Sequence, residues 1–521
     1  MRMARLRFAV VLMLVVGCSG PTGTAPTVPT AADPSASLNQ STATFAPAPC
    51  PTPNVSGIPQ LDLGPDFSCG YLTVPENRSR AGGPTIRIAV ARVKATSPTP
   101  EPDPVVWLTG GPGGTAIATA NLTVAKGINA DREIIFVDQR GTLHAEPALS
   151  CPEIDAVQRE ALGLPIADPA TAQKSDAATR TCRERLAGQG IDLAAYDTAQ
   201  NAADIADLRV ALGIEQWNVR GVSYGTDLAL QLLREHPQGI RSVVLDSLVP
   251  PQLNLVEALW PNAALGYEAL FTACAAQVAC AAAFPDLREE FTATVRRLDE
   301  QPLTVEVPDP AGGPSIRVVL DGYRLASLLN VLALNPGSLA GAPAMLHAIS
   351  AGEGTHAARA LVETLSPPGL NGYGLQFGVV CREEAGFTDR EKVQAEARRA
   401  LPDFPERVLG QLPQVPRLLD DCAIWNVGRA RPSVEQPTHG DVPVLLLNGT
   451  LDGVTPPAWA HAAATGLTNS EVVLIPGAGH DVIQWSDCAL RVMLDFLQRP
   501  AGRSRTACVD QLTVPPFATT P

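Results

Sequence analysis

Gln216-Trp217-Asn218-Val219-Arg220-Gly221-Val222-Ser223-Tyr224-Gly225, followed by Thr226-Asp227-Leu228-Ala229-Leu230-Gln231-Leu232-Leu233-Arg234-Glu235, is the stretch that decides the fold. Its first five residues read as a short strand and Thr226 to Glu235 as a helix, with G-x-S-x-G between them. A serine on a strained strand-to-helix turn needs small neighbours, because the two backbones pass closely. Its oxygen then stands clear of the sheet at the positive end of a helix. The five residues alone would also fit a glycine-rich surface turn. The strand before them and the helix after them separate the two readings.

A serine is a poor nucleophile without a base, and the base needs an orienting acid. Downstream, Val442-Pro443-Val444-Leu445-Leu446-Leu447-Asn448 reads as a buried parallel strand ending in Gly449-Thr450-Leu451-Asp452-Gly453-Val454-Thr455-Pro456. Glu471-Val472-Val473-Leu474-Ile475-Pro476 reads as another strand, ending in Gly477-Ala478-Gly479-His480-Asp481. Asp452 and His480 thus fall just past the carboxyl ends of strands, where open α/β sheets place their sites. Of the seven histidines, His236, His347, His356 and His461 fall in helix-like stretches. His439 precedes a strand, and His144 comes before the serine. His480 is therefore the expected base and Asp452 the expected acid, in the chain order Ser, Asp, His. Asp481 competes with Asp452 but reads as a turn cap.

Trp107-Leu108-Thr109-Gly110-Gly111-Pro112-Gly113-Gly114 follows a strand start at Pro104-Val105-Val106. Acyl transfer needs two N–H groups aimed at a developing oxyanion. One is expected from the residue after the serine, Tyr224, and one from such a glycine loop. A phosphate-cradling loop is the rival, but the Gly-Lys-Ser/Thr ending is missing.

The segments Gly110-Gly111-Pro112-Gly113-Gly114, Phe136-Val137-Asp138-Gln139-Arg140-Gly141 and Gly221-Val222-Ser223-Tyr224-Gly225 together resemble the proline iminopeptidase and tripeptidyl aminopeptidase family of α/β-hydrolases. The two loops carrying Asp452 and His480 look like its C-terminal segment. The resemblance spans about residue 50 to 510 and is close to the secreted, cysteine-rich branch that includes cell-envelope caseinase-type serine proteases of mycobacteria. It implies Ser223, Asp452 and His480 as the triad and the N–H groups of Gly111 and Tyr224 as the oxyanion hole. Thr109 stands where proline iminopeptidases usually have His, which argues against a strict single-proline enzyme. The resemblance also implies that an acid beside Cys381 faces the substrate's free amine, with Glu383 the better match and Glu384 the next. Read from the residues alone, Arg382-Glu383-Glu384 would equally be a solvated helix face.

The N-terminus, Met1 to Cys18, has a basic start, a short apolar run and small residues at its end, as in a secretory signal. Val15-Val16-Gly17-Cys18 looks like a bacterial lipobox, which makes Cys18 the expected lipidation site. Residues 19–48, rich in Pro, Thr, Ser and Ala, read as a disordered tether. A net charge of −14 argues against nucleic acid and against a polybasic membrane footprint. Membrane attachment is expected only through the lipid, with the protein on the outer face of the cytoplasmic membrane or secreted. Eleven cysteines less Cys18 leave ten, an even number. In an exported chain that favours disulfides over metal ligands. No C-x-x-C pair occurs, so no metal site is expected. Chain order suggests Cys50–Cys69, Cys151–Cys182, Cys274–Cys280, Cys381–Cys422 and Cys488–Cys508 among hundreds of possible pairings.

Thr85 to Val93 alternates like an antiparallel strand, and Val105–Leu108, Ile134–Asp138, Trp217–Arg220 and Val243–Asp246 follow, separated by helix-like stretches. The alternation stops near Pro250-Pro251 and resumes at Val442. Between them the chain is Ala- and Leu-rich, with a hairpin expected around Leu303–Val307 and Ile316–Leu320. The expected architecture is an α/β-hydrolase fold, a mostly parallel sheet with a large, mainly helical cap inserted between strands six and seven. The expected parts are core from 49 to 250, cap from 251 to 437 and core again from 438 to 521. No cofactor is expected. The expected activity is hydrolysis of a peptide or protein substrate, releasing short N-terminal peptides or residues. An envelope esterase or lipase would use the same triad, and a silent binding protein the same scaffold.

Overall fold

The computed structural model describes residues 43–51, 63–310, 312–332, 334 and 336–520. The signal segment, Cys18 and the tether up to residue 42 lie outside the described residues. The sheet strands are β1 (Thr44–Ala48), β2 (Phe67–Pro75), β3 (Thr85–Val93), β4 (Val105–Leu108), β5 (Ile134–Val137), β6 (Trp217–Ser223) and β7 (Ile240–Leu248). After a separate hairpin, β8 (Leu303–Val307) and β9 (Ile316–Leu320), the sheet is completed by β10 (Val444–Gly449) and β11 (Ser470–Ile475).

The nine strands are ordered β1-β2-β3-β5-β4-β6-β7-β10-β11. Pairing is antiparallel from β1 through β3 to β5 and parallel from there on. The parallel strands are apolar runs because both faces are covered. Along β4, Val106 and Leu108 enter the core on one face, and Val105 and Trp107 the core on the other. Along β10, Val444 and Leu446 divide from Leu445 and Leu447 in the same way.

β1 begins at Thr44, inside the stretch read as tether. Its Pro47 is tolerated because β1 is an edge strand, paired only with β2. Counted from β2, the long insertion follows the sixth sheet strand; counted from β1, it follows the seventh.

Between β7 and β10 the chain leaves the sheet. Its helices and the β8–β9 hairpin gather around their own core, which includes Trp260, Tyr267, Phe271, Phe291 and Phe404. Tyr267 and Phe291 meet edge to face, 4.9 Å between ring centroids. The insertion is not the whole of this layer. The helix Pro169–Gly188, from the first core segment, packs on the helix Leu418–Trp425. Arg183 Nε donates to Trp425 O at 2.7 Å and Arg417 Nη2 to Asp176 Oδ1 at 2.7 Å.

Five disulfides close as chain order suggests: Cys50–Cys69, Cys151–Cys182, Cys274–Cys280, Cys381–Cys422 and Cys488–Cys508. Among the described residues, no helix is long and apolar enough to cross a membrane. No group of three or more His, Cys, Asp or Glu among them could hold a metal ion.

Candidate active site

Ser223 is the last residue of β6, at φ 54° and ψ −129°, and the helix Tyr224–Glu235 starts at the next residue. A side chain there is strained, and the flanking glycines make the turn possible. A Cβ on Gly221 would lie 2.2 Å from Gly225 O, and one on Gly225 would lie 2.4 Å from Leu108 O. The glycine loop after β4 rests on the serine: a Cβ on Gly110 would come within 3.1 Å of Ser223 Oγ. Gly111 has φ 119°, and Tyr224, as the first helical residue, has an N–H without an intrahelical acceptor.

Asp452 lies in the loop after β10 and is fully buried. Its Oδ1 accepts from the N–H groups of Val454 and Thr455, both at 2.9 Å. Its Oδ2 accepts from Thr455 Oγ1 at 2.7 Å and pairs with His480 Nδ1 at 2.9 Å. Thr455 Oγ1 is itself 3.2 Å from that ring nitrogen. Burial opposes the Asp452 charge, but the imidazole and the Thr455 bonds outweigh it and hold the carboxyl below its ordinary value. Burial likewise disfavours imidazolium at His480. The charge and hydrogen bond of Asp452 outweigh it, with Asp481 and Asp246 adding, and the His480 pKa lies above 6.5.

The acid and histidine loops are tied together, Leu451 N donating to Ala478 O at 2.9 Å and Gly477 N to Thr450 Oγ1 at 2.9 Å. The serine strand reaches the same place. Arg220, three residues before Ser223, donates to Asp481, next to His480, at 2.7 Å. Asp481 sits at the start of the helix Val482–Trp485, but its side chain makes no cap bond there. It turns to Arg220 instead.

Glu383 and Glu384 lie on a π-helical turn, Val380–Glu384, pinned by the Cys381–Cys422 bridge. Glu383 is buried, and its oxygens accept from Thr198 N at 2.7 Å and Thr198 Oγ1 at 2.6 Å. Thr198 Oγ1 is 3.1 Å from the Tyr224 hydroxyl, so two hydrogen bonds connect Glu383 to the residue after the serine. Glu384 is half-buried and accepts from Leu255 N at 2.6 Å. Asp227, one turn beyond Ser223, joins them electrostatically. Burial, opposed only by Arg234, pushes Asp227 up to about 7. Burial, then the neighbouring acids with Asp227 among them, raises Glu383 and Glu384 well above ordinary glutamates.

His144 also has an acid partner: Nδ1 is 2.6 Å from Asp138 Oδ2, with both side chains fully buried. Thr115 Oγ1, beside the glycine loop, donates to the same carboxylate at 2.8 Å. His144 Nε2 is buried with no hydrogen-bond partner among the described residues.

Sequence reasoning passed over Thr455, Thr198, Asp227 and Asp246. Thr455, three residues after Asp452, matches a local side-chain-to-backbone turn and could have been found that way. The others meet their partners only through the fold.

A strained serine between glycines at the end of β6, with an Asp–His pair on the loops after β10 and β11, defines a class. The profile of the alpha/beta hydrolase fold family matches residues 103–487, and the chain belongs to that family. It is 26% identical over 477 residues to the serine protease Hip1 of Mycobacterium tuberculosis, covering 84% of this chain and 86% of that protein. It is 30% identical over 234 residues to a tripeptidyl aminopeptidase of Streptomyces coelicolor. That match spans 42% of each protein, less than half the length of this relative. Among solved structures, a proline iminopeptidase of Mycobacterium smegmatis aligns at 15% identity with a TM-score of 0.36, over 83% of this chain and 98% of that one. The chain thus has the alpha/beta hydrolase fold, and it resembles relatives named as peptidases.

Proposed function

We propose that this hydrolase is an exported serine peptidase that releases short peptides or single residues from the N-termini of its substrates. The observation that carries the reading is the strained Ser223 set against the glycine loop, at the same end of the sheet as the buried Asp452–His480 pair.

In this reading Ser223 Oγ attacks the scissile carbonyl, and His480 Nε2 takes its proton and returns it to the leaving amine. Asp452 fixes the imidazole with Nδ1 protonated and stabilises the imidazolium that forms. The N–H groups of Gly111 and Tyr224 receive the oxyanion. A water then repeats the sequence on the acyl-enzyme. No metal or organic cofactor takes part.

The amine end of the substrate faces Glu383 and Glu384, with Asp227 beside them. Glu383 and Glu384, whose charges are opposed by burial and by Asp227, gain from a bound ammonium, which restores the balance. The five disulfides and the mycobacterial relative fit an oxidising, extracytoplasmic location. Cys18 would carry the lipid that holds the enzyme to the membrane's outer face.

A panel of aminoacyl and tripeptidyl nitroanilides, each with a free and a blocked N-terminus, and short and long acyl esters tests the reading. Hydrolysis of free-amine peptides at least tenfold faster than of the blocked forms is expected. Preference for acyl esters, or equal cleavage of blocked peptides, would refute the aminopeptidase reading.

A further inference from the structure

Asp246, in β7, is a fully buried carboxylate that the mechanism above leaves without a role. It sits in register between Val222 of β6 and Leu447 of β10, between the strand of the serine and the strand of the acid. Its oxygens reach forward to the histidine loop. Oδ1 accepts from Val482 N at 2.9 Å and Oδ2 from Ile483 N at 3.1 Å, the first two backbone amides of the helix that follows His480 and Asp481. Ser247 Oγ donates to Oδ1 at 3.2 Å and accepts from Asp481 N at 2.8 Å. Arg220 Nη2 bridges Asp246 Oδ2 at 2.9 Å and Asp481 Oδ1 at 2.7 Å. The Arg220 guanidinium is packed 4.0 Å from the centre of the Trp107 ring, which fixes it from behind.

Three consecutive backbone amides after His480, those of Asp481, Val482 and Ile483, are therefore held by Asp246 and its neighbour Ser247. Two residues in this clamp, Ser247 at φ 55° and Asp481 at φ 60°, are left-handed without being glycine. Such strain persists only where the surroundings over-determine it. Asp452 holds one nitrogen of the imidazole; nothing in that pair fixes the backbone from which the ring projects.

We infer that Asp246 is a positioning residue for His480, fixing the backbone of the histidine loop and placing a carboxylate behind the base. The inference rests on His480 being the base of the proposed reaction. Its electrostatic part has a defined sign. The charged groups facing His480 are Asp452, Asp481 and Asp246, and those facing Asp246 are Arg220 and Asp481. Burial pushes Asp246 up to about 7, with Asp481 adding and Arg220 opposing. Paired with Arg220 and bonded to two backbone amides, the Asp246 carboxylate favours imidazolium at His480. Removing that charge lowers the His480 pKa, and the low-pH limb of the rate profile moves down.

The experiment follows Asp246→Asn and Ser247→Ala in the mature protein from pH 5 to 9, by the second-order rate of fluorophosphonate labelling at Ser223. Rates are normalised to folded protein, with His480→Ala as reference. Asp246→Asn should move the low-pH limb down by about half a unit and slow the plateau at least tenfold. Ser247→Ala keeps both carboxylates and Arg220. It should slow the plateau several-fold and leave the limb in place. An unmoved limb in folded Asp246→Asn overturns the inference, because a merely structural residue changes the amount of folded enzyme and not the pKa of the base. If Asp246→Asn does not fold, Ser247→Ala decides: an unchanged plateau overturns the inference. Failure of the underlying reading looks different, since then His480→Ala labels as fast as wild type or the label lands away from Ser223.

Discussion

Replacing Asp452 by asparagine changes one atom in a site where each carboxylate oxygen has fixed donors. Oδ1 faces two backbone N–H groups, and Oδ2 faces Thr455 Oγ1 and His480 Nδ1. If the amide nitrogen takes the Oδ1 position, a donor is set against two donors that have no other acceptor supplied. That orientation is excluded by the cost of buried unmade bonds, about 1–3 kcal/mol each. The nitrogen must therefore take the Oδ2 position. There the threonine hydroxyl can rotate to accept, but the imidazole has only one response: Nδ1 gives up its proton and becomes the acceptor. Nε2 is then protonated and cannot take the proton of Ser223. Wrong-tautomer variants of such triads lose about 10⁴-fold in turnover, about 5 kcal/mol of barrier. The fold should survive, because every bond of Asp452 is replaced. Turnover of a nitroanilide and the rate of fluorophosphonate labelling, with circular dichroism as the folding check, make the measurement. Folded Asp452→Asn with more than a tenth of wild-type turnover would refute the reasoning, and so would Asp481→Asn proving the more damaging variant.

Because His480 must be neutral to act as base and its pKa lies above 6.5, kcat/KM should fall as pH drops through a midpoint above that value; a midpoint below 6 in a pH–rate profile would contradict the electrostatics. Glu383→Gln should raise KM roughly 30-fold for peptides with a free N-terminus, about 2 kcal/mol, and leave blocked ones nearly unchanged. Equal effects on both would move the amine site to Glu384 or Asp227. Joint Cys381→Ser and Cys422→Ser substitution opens a loop of 41 residues, about 4 kcal/mol by chain entropy, and should lower the melting temperature by several degrees; an unchanged thermal melt would show that the bridge does not hold this segment.

The parallel strands from β4 to β11 were legible because a strand covered on both faces is a short apolar run bounded by turn residues. β1 was not, since Pro47 speaks against a strand and only its place at the sheet edge permits it. The positions of Ser223, at the end of such a run, and of Asp452 and His480, on loops directly after one, were legible because local sequence fixes them. Glu383 and Glu384 were less so. Glu383 could be named from a resemblance, but its partner Thr198 is 185 residues away, and only the folded chain brings the two together. Asp246 reads as one polar residue in a buried strand. Its meaning depends on backbone amides of a loop 236 and 237 residues later, which periodicity does not reveal.

The central claim is that Ser223 is an activated nucleophile in a Ser–His–Asp site. The most direct test is to treat the mature wild-type protein with a fluorophosphonate probe, digest it and locate the modified residue by mass spectrometry. The account predicts a single adduct on the peptide containing Ser223, formed in proportion to loss of activity and absent from Ser223→Ala. An enzyme that hydrolyses its substrate while Ser223 stays unmodified, or a Ser223→Ala variant that keeps more than a tenth of the activity, would contradict it.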